Sequence, residues 1–392
     1  MVGVLRPSVN PFASTSVGPY ELPPAFVEQL QTPALVVYLD RVRENIQRMI
    51  AYAGSPDRWR PHLKTTKMPE VWGELLHAGV THFKCATTRE ADVFVALAES
   101  RQNPADLLVA YPLRGPSLRR IGEIAGRAKH TTLSVLVEDP EVLAELPEGV
   151  GVFVDVNPGM NRTGIPMADE AAVRTVVQAA GDRFRGLHFY DGHLHHADLA
   201  ARRAAIFKGY QRLLQLVDHL ATEGITTPEL ITAGTPAFHH ALHFDAFAAK
   251  DTFVHRISPG TVVFHDARSQ LDNPEVELQP AALVLSRVIS HPTSNIATCD
   301  AGSKSIAAEA GDPCAFVLGS DAFEGLPPSE EHLPLRCSTE LPPRGTPLFL
   351  VPRHVCPTVN LAEQCVLIDG DHPPRVVPVT ARAHEVLCQA QK

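Results

Sequence analysis

Apolar and polar positions follow a regular pattern from Thr32 onward, in which short apolar runs are separated by longer amphipathic stretches. The runs predicted to be β-strands are Ala34–Leu39, Arg58–Leu63, His82–Ala86, Asp106–Tyr111, Thr132–Val137, Gly151–Val156, Gly186–Tyr190 and Glu229–Ala233. The stretches predicted to be helices include Arg41–Ala53, Pro69–Ala78, Arg89–Ala98, Ser117–Ala128 and Asp198–Ala221. Strands that are apolar on both faces and separated by helices indicate a parallel sheet.

Eight such units in succession predict an α/β fold in which residues 32–266 form a closed (β/α)8 barrel. An open doubly wound sheet is the alternative, but no G-x-G-x-x-G motif follows any predicted strand. Beyond about Asp266, strand-like runs follow one another without helices: Ala281–Ile289, Ile296–Asp300, Ala315–Leu318, Pro347–Val351 and Cys365–Asp369. They predict a mostly antiparallel β domain over residues 267–392. Residues 1–31, rich in Pro, Ser and Gly, are expected to form an arm that packs on this domain.

Composition narrows the class of protein. The chain has 392 residues and 44% apolar content, which is enough for two domains. A net charge of −9 argues against a nucleic-acid-binding protein. The sequence shows neither a secretory signal nor the ~18 consecutive apolar residues of a membrane-spanning helix. Seven cysteines without a C-x-x-C pair argue against a disulfide framework, so a reducing, cytoplasmic setting is expected.

Lys64 follows the predicted strand Arg58–Leu63, at the barrel end where active-site residues lie. Lysine is normally exposed, and a desolvated lysine loses its charge and becomes a nucleophile that can form a Schiff base. An ordinary surface lysine is the alternative, and Lys67 is a nearby competitor that is expected to be solvated.

Two further loops have features of ligand-binding sites. The loop Asp155–Gly164 contains two glycines and Arg162, as expected where a backbone approaches a ligand closely. Gly234 and Thr235 end another strand and precede the predicted helix Ala237–Leu242, where free N–H groups and the helix dipole favour a phosphate. The alternatives are an ordinary glycine-rich turn and a simple N-cap threonine.

Residues 188–196 contain four histidines: His188, His193, His195 and His196. Imidazole acts as an acid, a base or a metal ligand near neutral pH. Alternation along the strand places His188 and Tyr190 on one side. A histidine-rich exposed loop is the alternative interpretation.

His354 and Cys356 are two positions apart in the predicted β domain, so on an extended chain their side chains point the same way. A thiolate and an imidazole can hold a divalent metal ion, with Zn²⁺ the first candidate. Two ligands are fewer than a structural site uses, which leaves positions for water and substrate. A buried Cys and a buried His without a metal are the alternative.

Taken together, these segments resemble the D-threonine aldolase and D-serine dehydratase group, relatives of alanine racemase among the fold-type III pyridoxal-phosphate enzymes. The resemblance rests on Arg60–Lys67 (RPHLKTTK), Asp155–Gly164 (DVNPGMNRTG), Ser258–Asp266 (SPGTVVFHD) and His354–Thr358 (HVCPT). It extends from about Thr32 to Leu367, and the motifs occur in the order of the group.

The resemblance implies a barrel followed by a β domain, with pyridoxal 5'-phosphate (PLP) attached to Lys64. It implies that Arg162 lies near the phenolic oxygen of the cofactor and that Gly234 and Thr235 hold its phosphate. His188 and His195 stand where related enzymes place tyrosines that contact the cofactor. A homodimer is expected from the group.

The implied activity is that of a PLP- and metal-dependent lyase acting on small D-3-hydroxy amino acids. In the leading hypothesis, His354 and Cys356 hold Zn²⁺ or Mn²⁺ against the substrate hydroxyl and His193 takes the hydroxyl proton. Cleavage of the Cα–Cβ bond then gives glycine and an aldehyde, as in D-threonine aldolase. In the alternative, a dehydratase of D-serine or D-threo-3-hydroxyaspartate, Lys64 removes the α-proton and the products are a keto acid and ammonia.

Two other activities rank lower. An amino-acid racemase needs a second acid/base group, usually a tyrosine of the β domain, and no tyrosine follows Tyr210. A non-catalytic PLP carrier resembles a lone barrel, whereas this chain has a long second domain.

Overall fold

The computed structural model describes residues 9–194 and 198–386. Within this part, the chain forms two compact units, each composed of separate segments. The barrel unit comprises residues 46–64 and 69–260 together with the chain from residue 383, and the sheet unit comprises the chain to residue 45 and residues 65–68 and 261–382. Among the described residues, no helix is both long and apolar enough to cross a membrane.

The strands in chain order are β1 (Ala34–Tyr38), β2 (His82–Cys85), β3 (Ala105–Pro112), β4 (Thr131–Val137), β5 (Gly151–Asn157), β6 (Ile165–Pro166), β7 (Phe184–Phe189), β8 (Glu229–Thr232), β9 (Val254–Ile257), β10 (Ala282–Thr293), β11 (Ile296–Cys299), β12 (Ala315–Val317), β13 (Phe323–Gly325), β14 (Leu333–Cys337), β15 (Pro347–Pro352), β16 (Gln364–Ile368) and β17 (Arg375–Pro378). The α-helices are α1 (Pro24–Gln29), α2 (Leu39–Ala53), α3 (Pro69–His77), α4 (Thr88–Arg101), α5 (Gly115–Ala125), α6 (Glu170–Ala180), α7 (Leu199–Thr222), α8 (Phe238–Leu242), α9 (Asp245–Ala248), α10 (Ala267–Asp272) and α11 (Val355–Leu361).

The barrel unit contains a parallel sheet with the strand order β2-β3-β4-β5-β7-β8-β9, and the short β6 pairs with β5. The segment before Lys64 closes this sheet, because Trp59 forms a parallel bridge with Ile257 of β9 and His62 forms one with Lys84 of β2. Eight segments therefore surround one interior. The predicted fold class, a (β/α)8 barrel with a mostly antiparallel β domain, is confirmed.

One strand of the barrel was assigned wrongly from the sequence. The run Ala34–Leu39 was expected to start the barrel, but β1 pairs with β10 and β16 in the sheet unit. The eighth barrel strand is β9, which the sequence analysis missed. Its sequence, Val-His-Arg-Ile, contains two ionisable side chains and no apolar run, yet His255 and Arg256 are buried.

A buried ionic network lies in the barrel. The guanidinium of Arg60 is fully buried and binds Asp106 at 2.7 Å and Glu229 at 2.8 Å. Glu229 also pairs with Arg256 at 2.7 Å. Because a buried charge is tolerated only when it is paired, each of these groups depends on its partners. The network joins the closing segment to β3 and β8.

The sheet unit contains a nine-stranded sheet that runs β13-β14-β11-β10-β1-β16-β17, with β15 pairing to both β10 and β12. The pair β1 and β16 is parallel, and the other ladders are antiparallel. Phe12, Tyr20 and Leu22 of the N-terminal segment are buried in the same hydrophobic cluster as Val36 and Leu283. The hydroxyl of Tyr38 donates a hydrogen bond to the carbonyl of Tyr20, which attaches the segment to β1.

Candidate active site

Lys64 lies directly after the segment that closes the barrel. It is half-buried in a short 3-10 turn, Leu63–Thr65, and its backbone N–H is 3.4 Å from Nδ1 of His62. This is the end of a barrel strand, where (β/α)8 enzymes carry their reactive groups. Lys67, the competitor, is buried rather than solvated and has a left-handed backbone with φ of 53°.

A second lysine lies inside the barrel. Lys84 of β2 is only 2% exposed, and its Nζ is 3.3 Å from Nε2 of His188. Nδ1 of His188 is 2.7 Å from Oδ1 of Asp155, whose other oxygen accepts a hydrogen bond from Thr163 at 2.8 Å. Lys84, His188 and Asp155 thus form a hydrogen-bonded chain across β2, β7 and β5.

The charges in this chain follow from burial. Burial first, and then the charges of Lys64 and Arg60, lower the pKa of Lys84 to about 7. Burial and the charge of Lys84 also lower the pKa of His188, so its imidazole is neutral. For Asp155, burial opposes ionisation, but the hydrogen bonds to His188 and Thr163 and the neighbouring positive charge together outweigh it and lower the pKa of the carboxyl. An ionised Asp155 holds a proton on Nδ1 of His188, which leaves Nε2 free to accept from Lys84.

Lys84 is not among the site residues predicted from the sequence. The signal was present, because Lys84 interrupts the otherwise apolar Phe83-Lys84-Cys85 run inside a predicted strand. Lysine is rarely buried unless it is paired, so a lysine within a buried strand indicates a partner. His188 supplies that partner.

The loop that follows β5 carries Arg162 beside an aromatic ring. The guanidinium carbon of Arg162 is 4.9 Å from the centre of the Tyr190 ring, and Nζ of Lys84 is 5.6 Å from it. The side chain of Asn157 shapes the loop, since its Oδ1 accepts from the N–H groups of Gly159 and Asn161. Two basic side chains therefore lie close to the Tyr190 ring.

The predicted phosphate site lies at the end of β8. Ala233 has a left-handed backbone with φ of 57°, which is strained for a residue with a Cβ and is typical of functional turns. A Cβ on Gly234 would come within 2.6 Å of the Tyr190 ring, so only glycine fits there. The carbonyl of Gly234 accepts from Ala237 and Phe238 at the start of α8. Thr235 follows in the same turn.

Asp191 links the end of β7 to α7. It is 1% exposed, and its Oδ2 accepts a hydrogen bond from the Tyr210 hydroxyl at 2.5 Å. Burial raises the pKa of Asp191 to about 6, against the opposing effect of the Tyr210 hydroxyl. The carboxyl thus changes its charge near physiological pH.

His193, the predicted base, is half-buried two residues beyond Asp191. Its Nε2 is 3.9 Å from the position that a Cβ on Gly159 would occupy, so the imidazole faces the loop after β5. His195 and His196 lie outside the described residues. His195 therefore stays a prediction as a cofactor ligand.

These residues fit a PLP cofactor. The positive charges of Lys64, Arg60 and Arg162 act on Lys84 at this site, and Asp155 is the anion that acts on it. An anionic phosphate and phenolate would balance that excess of positive charge. The absence of a side chain at Gly234 lets the Tyr190 ring pack closely against the backbone of this turn.

A second cluster lies in the sheet unit around His354 and Cys356. The two side chains are hydrogen-bonded to each other, and Nδ1 of His354 is 2.6 Å from Oε1 of Glu309. Sγ of Cys356 is 3.1 Å from the hydroxyl of Thr65 and 3.4 Å from that of Thr261.

The expectation that His354 and Cys356 lie on an extended strand is wrong. β15 ends at Pro352, and His354 is the N-cap of α11. The helix starts here because Oδ2 of Asp266 accepts the N–H of Val355 at 2.9 Å, which satisfies a free donor of the first turn. The turn of the helix brings the two side chains together instead.

The electrostatics of this pair favour a thiolate. Burial favours neutral forms, but contact with Cys356 and Glu309 raises the pKa of His354 to about 9. The hydrogen bond and charge of His354 overcome burial and lower the pKa of Cys356. A low thiol pKa is what a metal-binding cysteine requires.

The donor set fits a metal ion with open positions. Glu309 binds Nδ1 of His354, which leaves Nε2 for a metal, and carboxylates commonly orient metal-binding histidines in this way. Among residues 9–194 and 198–386, no three His, Cys, Asp or Glu side chains cluster as metal ligands. Two protein ligands would leave coordination positions for water and substrate.

Comparison with known proteins defines the family. Residues 37–265 match the family described as "Alanine racemase, N-terminal domain". The chain belongs to this family. In this alanine racemase family member, residues 281–368 also match a serine dehydratase domain.

Curated relatives of this family member include aldolases and a dehydratase. A D-threonine aldolase from Arthrobacter sp. is 29% identical over 87% of this chain and 90% of the relative. A 3-hydroxy-D-aspartate aldolase from Paracoccus denitrificans is 29% identical over 95% of this chain and 97% of the relative. The D-threo-3-hydroxyaspartate dehydratase of Delftia sp. is 24% identical over 84% of this chain and 92% of the relative.

A solved structure extends the similarity to the fold. The D-threonine aldolase from Filomicrobium marinum superposes with a TM-score of 0.77 at 28% identity, covering 90% of this chain and 96% of that chain. Aldolases and dehydratases of this type are lyases, so the predicted enzyme of the lyase class is confirmed. The alanine racemase family implies PLP as the cofactor.

Proposed function

We propose that this chain is a PLP- and metal-dependent lyase that cleaves D-3-hydroxy amino acids between Cα and Cβ, giving glycine and an aldehyde. The observation that carries the proposal is Lys64 at the end of a barrel strand, beside the cationic groups Lys84 and Arg162. The aldolase names of two curated relatives that align over most of this chain support the choice of reaction.

The barrel residues have separate roles in this proposal. PLP, when bound, supplies the electron sink that stabilises negative charge at the substrate Cα. Lys64 carries the cofactor and later holds a proton at Nζ. Gly234 and Thr235 would bind the phosphate through their backbone, Arg162 would bind the phenolic oxygen, and His188 would contact the ring.

In the sheet unit, His354 and Cys356 would hold the metal, and Glu309 orients the imidazole of His354. A divalent ion such as Zn²⁺ or Mn²⁺ supplies a Lewis acid that lowers the pKa of a bound hydroxyl. A further solved structure of similar fold is described as a mutant D-threo-3-hydroxyaspartate dehydratase in the metal-free form.

His193 is proposed as the base that takes the proton of the substrate 3-hydroxyl. As that proton leaves, the C–O bond becomes the aldehyde carbonyl and the Cα–Cβ bond breaks. The Cα of the glycine product then needs one proton, which Lys64 can return from Nζ. General bases of this kind need a pKa near the working pH, which imidazole provides.

A dehydratase is the second candidate. The match of residues 281–368 to a serine dehydratase domain favours it, and this segment contains both His354 and Cys356. In this reaction Lys64 removes the α-proton and the 3-hydroxyl leaves as hydroxide. Water then releases a keto acid and ammonia.

Product analysis separates the two reactions. The purified protein with PLP and Mn²⁺ or Zn²⁺ would receive D-threonine, D-serine or D-threo-3-hydroxyaspartate, with the L-isomers as controls. Glycine with an aldehyde supports the proposed lyase, whereas keto acid with ammonia supports the dehydratase.

The matched variants are Lys64→Ala, which removes the proposed attachment point, and Lys129→Ala, which changes an exposed lysine of the barrel unit. The Lys64→Ala protein should lose borohydride-reducible cofactor and activity, and Lys129→Ala should retain both. Cofactor covalently retained by Lys64→Ala would contradict the role of Lys64.

A further inference from the structure

Lys84 has no part in the reaction proposed above, although it lies in the middle of the site. Its burial separates it from a surface lysine, because a charged amine at 2% exposure is costly unless a partner holds it. The partner is His188, whose Nε2 lies 3.3 Å from Nζ. An isolated structural ion pair would use a carboxylate here, so a neutral imidazole as partner calls for another explanation.

Asp155, at one end of the hydrogen-bonded series Asp155–His188–Lys84, fixes the direction of these hydrogen bonds. Asp155 is ionised and accepts the proton on Nδ1 of His188. Nε2 of His188 is then an acceptor, so the ammonium form of Lys84 donates to it. When Lys84 is neutral, this donation is weaker and the imidazole has no strong donor at Nε2.

Several charged or titratable groups act on Lys84 from the neighbouring elements. They are Lys64, Arg60, Asp155, Arg162, His188 and Asp191. Three of them, Lys64, Arg60 and Arg162, are cations that oppose a further positive charge. Without an anionic ligand, the ammonium form of Lys84 is therefore only partly populated near neutral pH. An anion bound between these cations shifts Lys84 toward the ammonium form.

We propose that Lys84 is a second functional lysine of the barrel: a positioning residue that takes up a proton when the anionic cofactor binds and, as an ammonium, fixes the imidazole of His188. The step is balanced, because one proton moves from the solvent to Nζ and no other bond changes. The inference rests on the cofactor part of the proposed function and is independent of the lyase reaction.

Linkage gives the expected size. If bound anion raises the affinity of Lys84 for a proton, the protonated protein binds that anion more tightly by the same factor. With a starting pKa of about 7, half of the Lys84 side chains are neutral at pH 7. Full protonation on binding then takes up roughly half a proton per site at pH 7.

The experiment measures proton uptake when the full-length, cofactor-free protein binds pyridoxine 5'-phosphate, an analogue without the reactive aldehyde. Calorimetric titrations at pH 7 in buffers of different ionisation enthalpy give both the number of protons and the affinity. Because the analogue cannot form an imine with Lys64, covalent chemistry does not contribute.

Three variants separate charge from proton uptake. Lys84→Arg keeps a permanent charge, so uptake should fall by roughly half a proton while affinity is kept. Lys84→Met should lose the same uptake and bind the analogue on the order of tenfold more weakly. Lys129→Met, an exposed lysine of the same unit, should behave as the wild type.

The outcomes are distinguishable. If both Lys84 variants take up as many protons on analogue binding as the wild type does, the proposed role of Lys84 is wrong, even if the protein proves to be a lyase. Absence of saturable analogue binding to the wild type overturns the cofactor proposal as well.

Histidine NMR on the same samples adds an independent readout. His188 should be neutral with its proton on Nδ1 in the wild type, and Lys84→Met should raise its pKa because an adjacent cation is lost. Lys84→Arg should restore the wild-type signal.

Discussion

At the scale of single residues, the site depends on side chains that control each other's charge. Asp155 sets the tautomer of His188, and Glu309 binds Nδ1 of His354 and orients its ring. In both cases a carboxylate binds Nδ1 and leaves Nε2 to face a functional group. Supporting carboxylates of this kind often matter nearly as much as the groups they orient.

The pair Glu309 and His354 gives a prediction for metal binding. Glu309→Gln should weaken the affinity for Zn²⁺ or Mn²⁺ by about 10- to 100-fold, because the imidazole loses its orienting anion. Competition against a calibrated chelator measures this affinity directly. Glu330→Gln is the control, since Glu330 is an exposed glutamate that pairs with Lys304. Equal metal affinity in both variants would exclude a positioning role for Glu309.

At the scale of elements, the functional groups of the barrel unit come from its strands and from the turns that follow them. The turn after β7 is attached to α7 through Asp191. Its carboxyl accepts a hydrogen bond from the hydroxyl of Tyr210, in the middle of that helix. The attachment depends on pH, since the buried carboxyl binds a proton more tightly in the folded chain than in the unfolded chain.

This raised pKa predicts a dependence of stability on pH. The pKa of the Asp191 carboxyl is about 6 in the folded chain and 3.8 in the unfolded chain. Its contribution to the free energy of unfolding is therefore largest below pH 3.8 and is lost as the pH rises through 6. Between pH 4 and pH 8, the stability of Asp191→Asn should therefore gain about 2–3 kcal/mol relative to the wild type. Urea denaturation across this range measures the difference. A constant difference would show that Asp191 titrates normally.

Most elements could be predicted from the sequence, and the exceptions have physical reasons. Helices such as α2 and α7 start and end within two residues of their predicted bounds, since amphipathic periodicity is a local signal. The assignment of Ala34–Leu39 to the barrel failed because an apolar run does not specify which sheet it joins. β9 was missed because its His255 and Arg256 are buried through partners that are distant in sequence.

The candidate site was only partly predictable for the same reason. Lys64, Arg162 and Gly234 follow predicted strands, so topology alone brings them to one end of the barrel. The contact of Lys84 with His188 joins residues 104 positions apart, and no local pattern encodes it. Glu309 likewise meets His354 across 45 positions.

At the scale of the whole molecule, the barrel is closed by a short segment rather than by a long strand. In the region that the structure describes, isolated bridges at Trp59 and His62 pair this segment with β9 and β2. Arg60 strengthens the closure with its two buried carboxylate partners, Asp106 and Glu229.

Arg60→Met should destabilise the protein by roughly 3–5 kcal/mol, because it leaves buried carboxylates without their main partner. The control is Arg185→Met, which removes a partly exposed partner of Asp106 and should cost under about 1 kcal/mol. Chemical denaturation compares the two. A loss for Arg60→Met as small as that of the control would mean that the closure does not depend on this network.

The position of β1 has a consequence for how the chain is made. β1 ends at Tyr38, and its antiparallel partner β10 begins at Ala282, so the ribosome synthesises the whole barrel between the two strands. At about 5–20 residues per second, the intervening stretch of roughly 240 residues takes about 12–50 seconds. During that interval Leu35, Val36 and Val37 have no sheet to join. The nascent chain therefore carries an apolar strand that a chaperone can bind until synthesis reaches β10, in the last third of the chain.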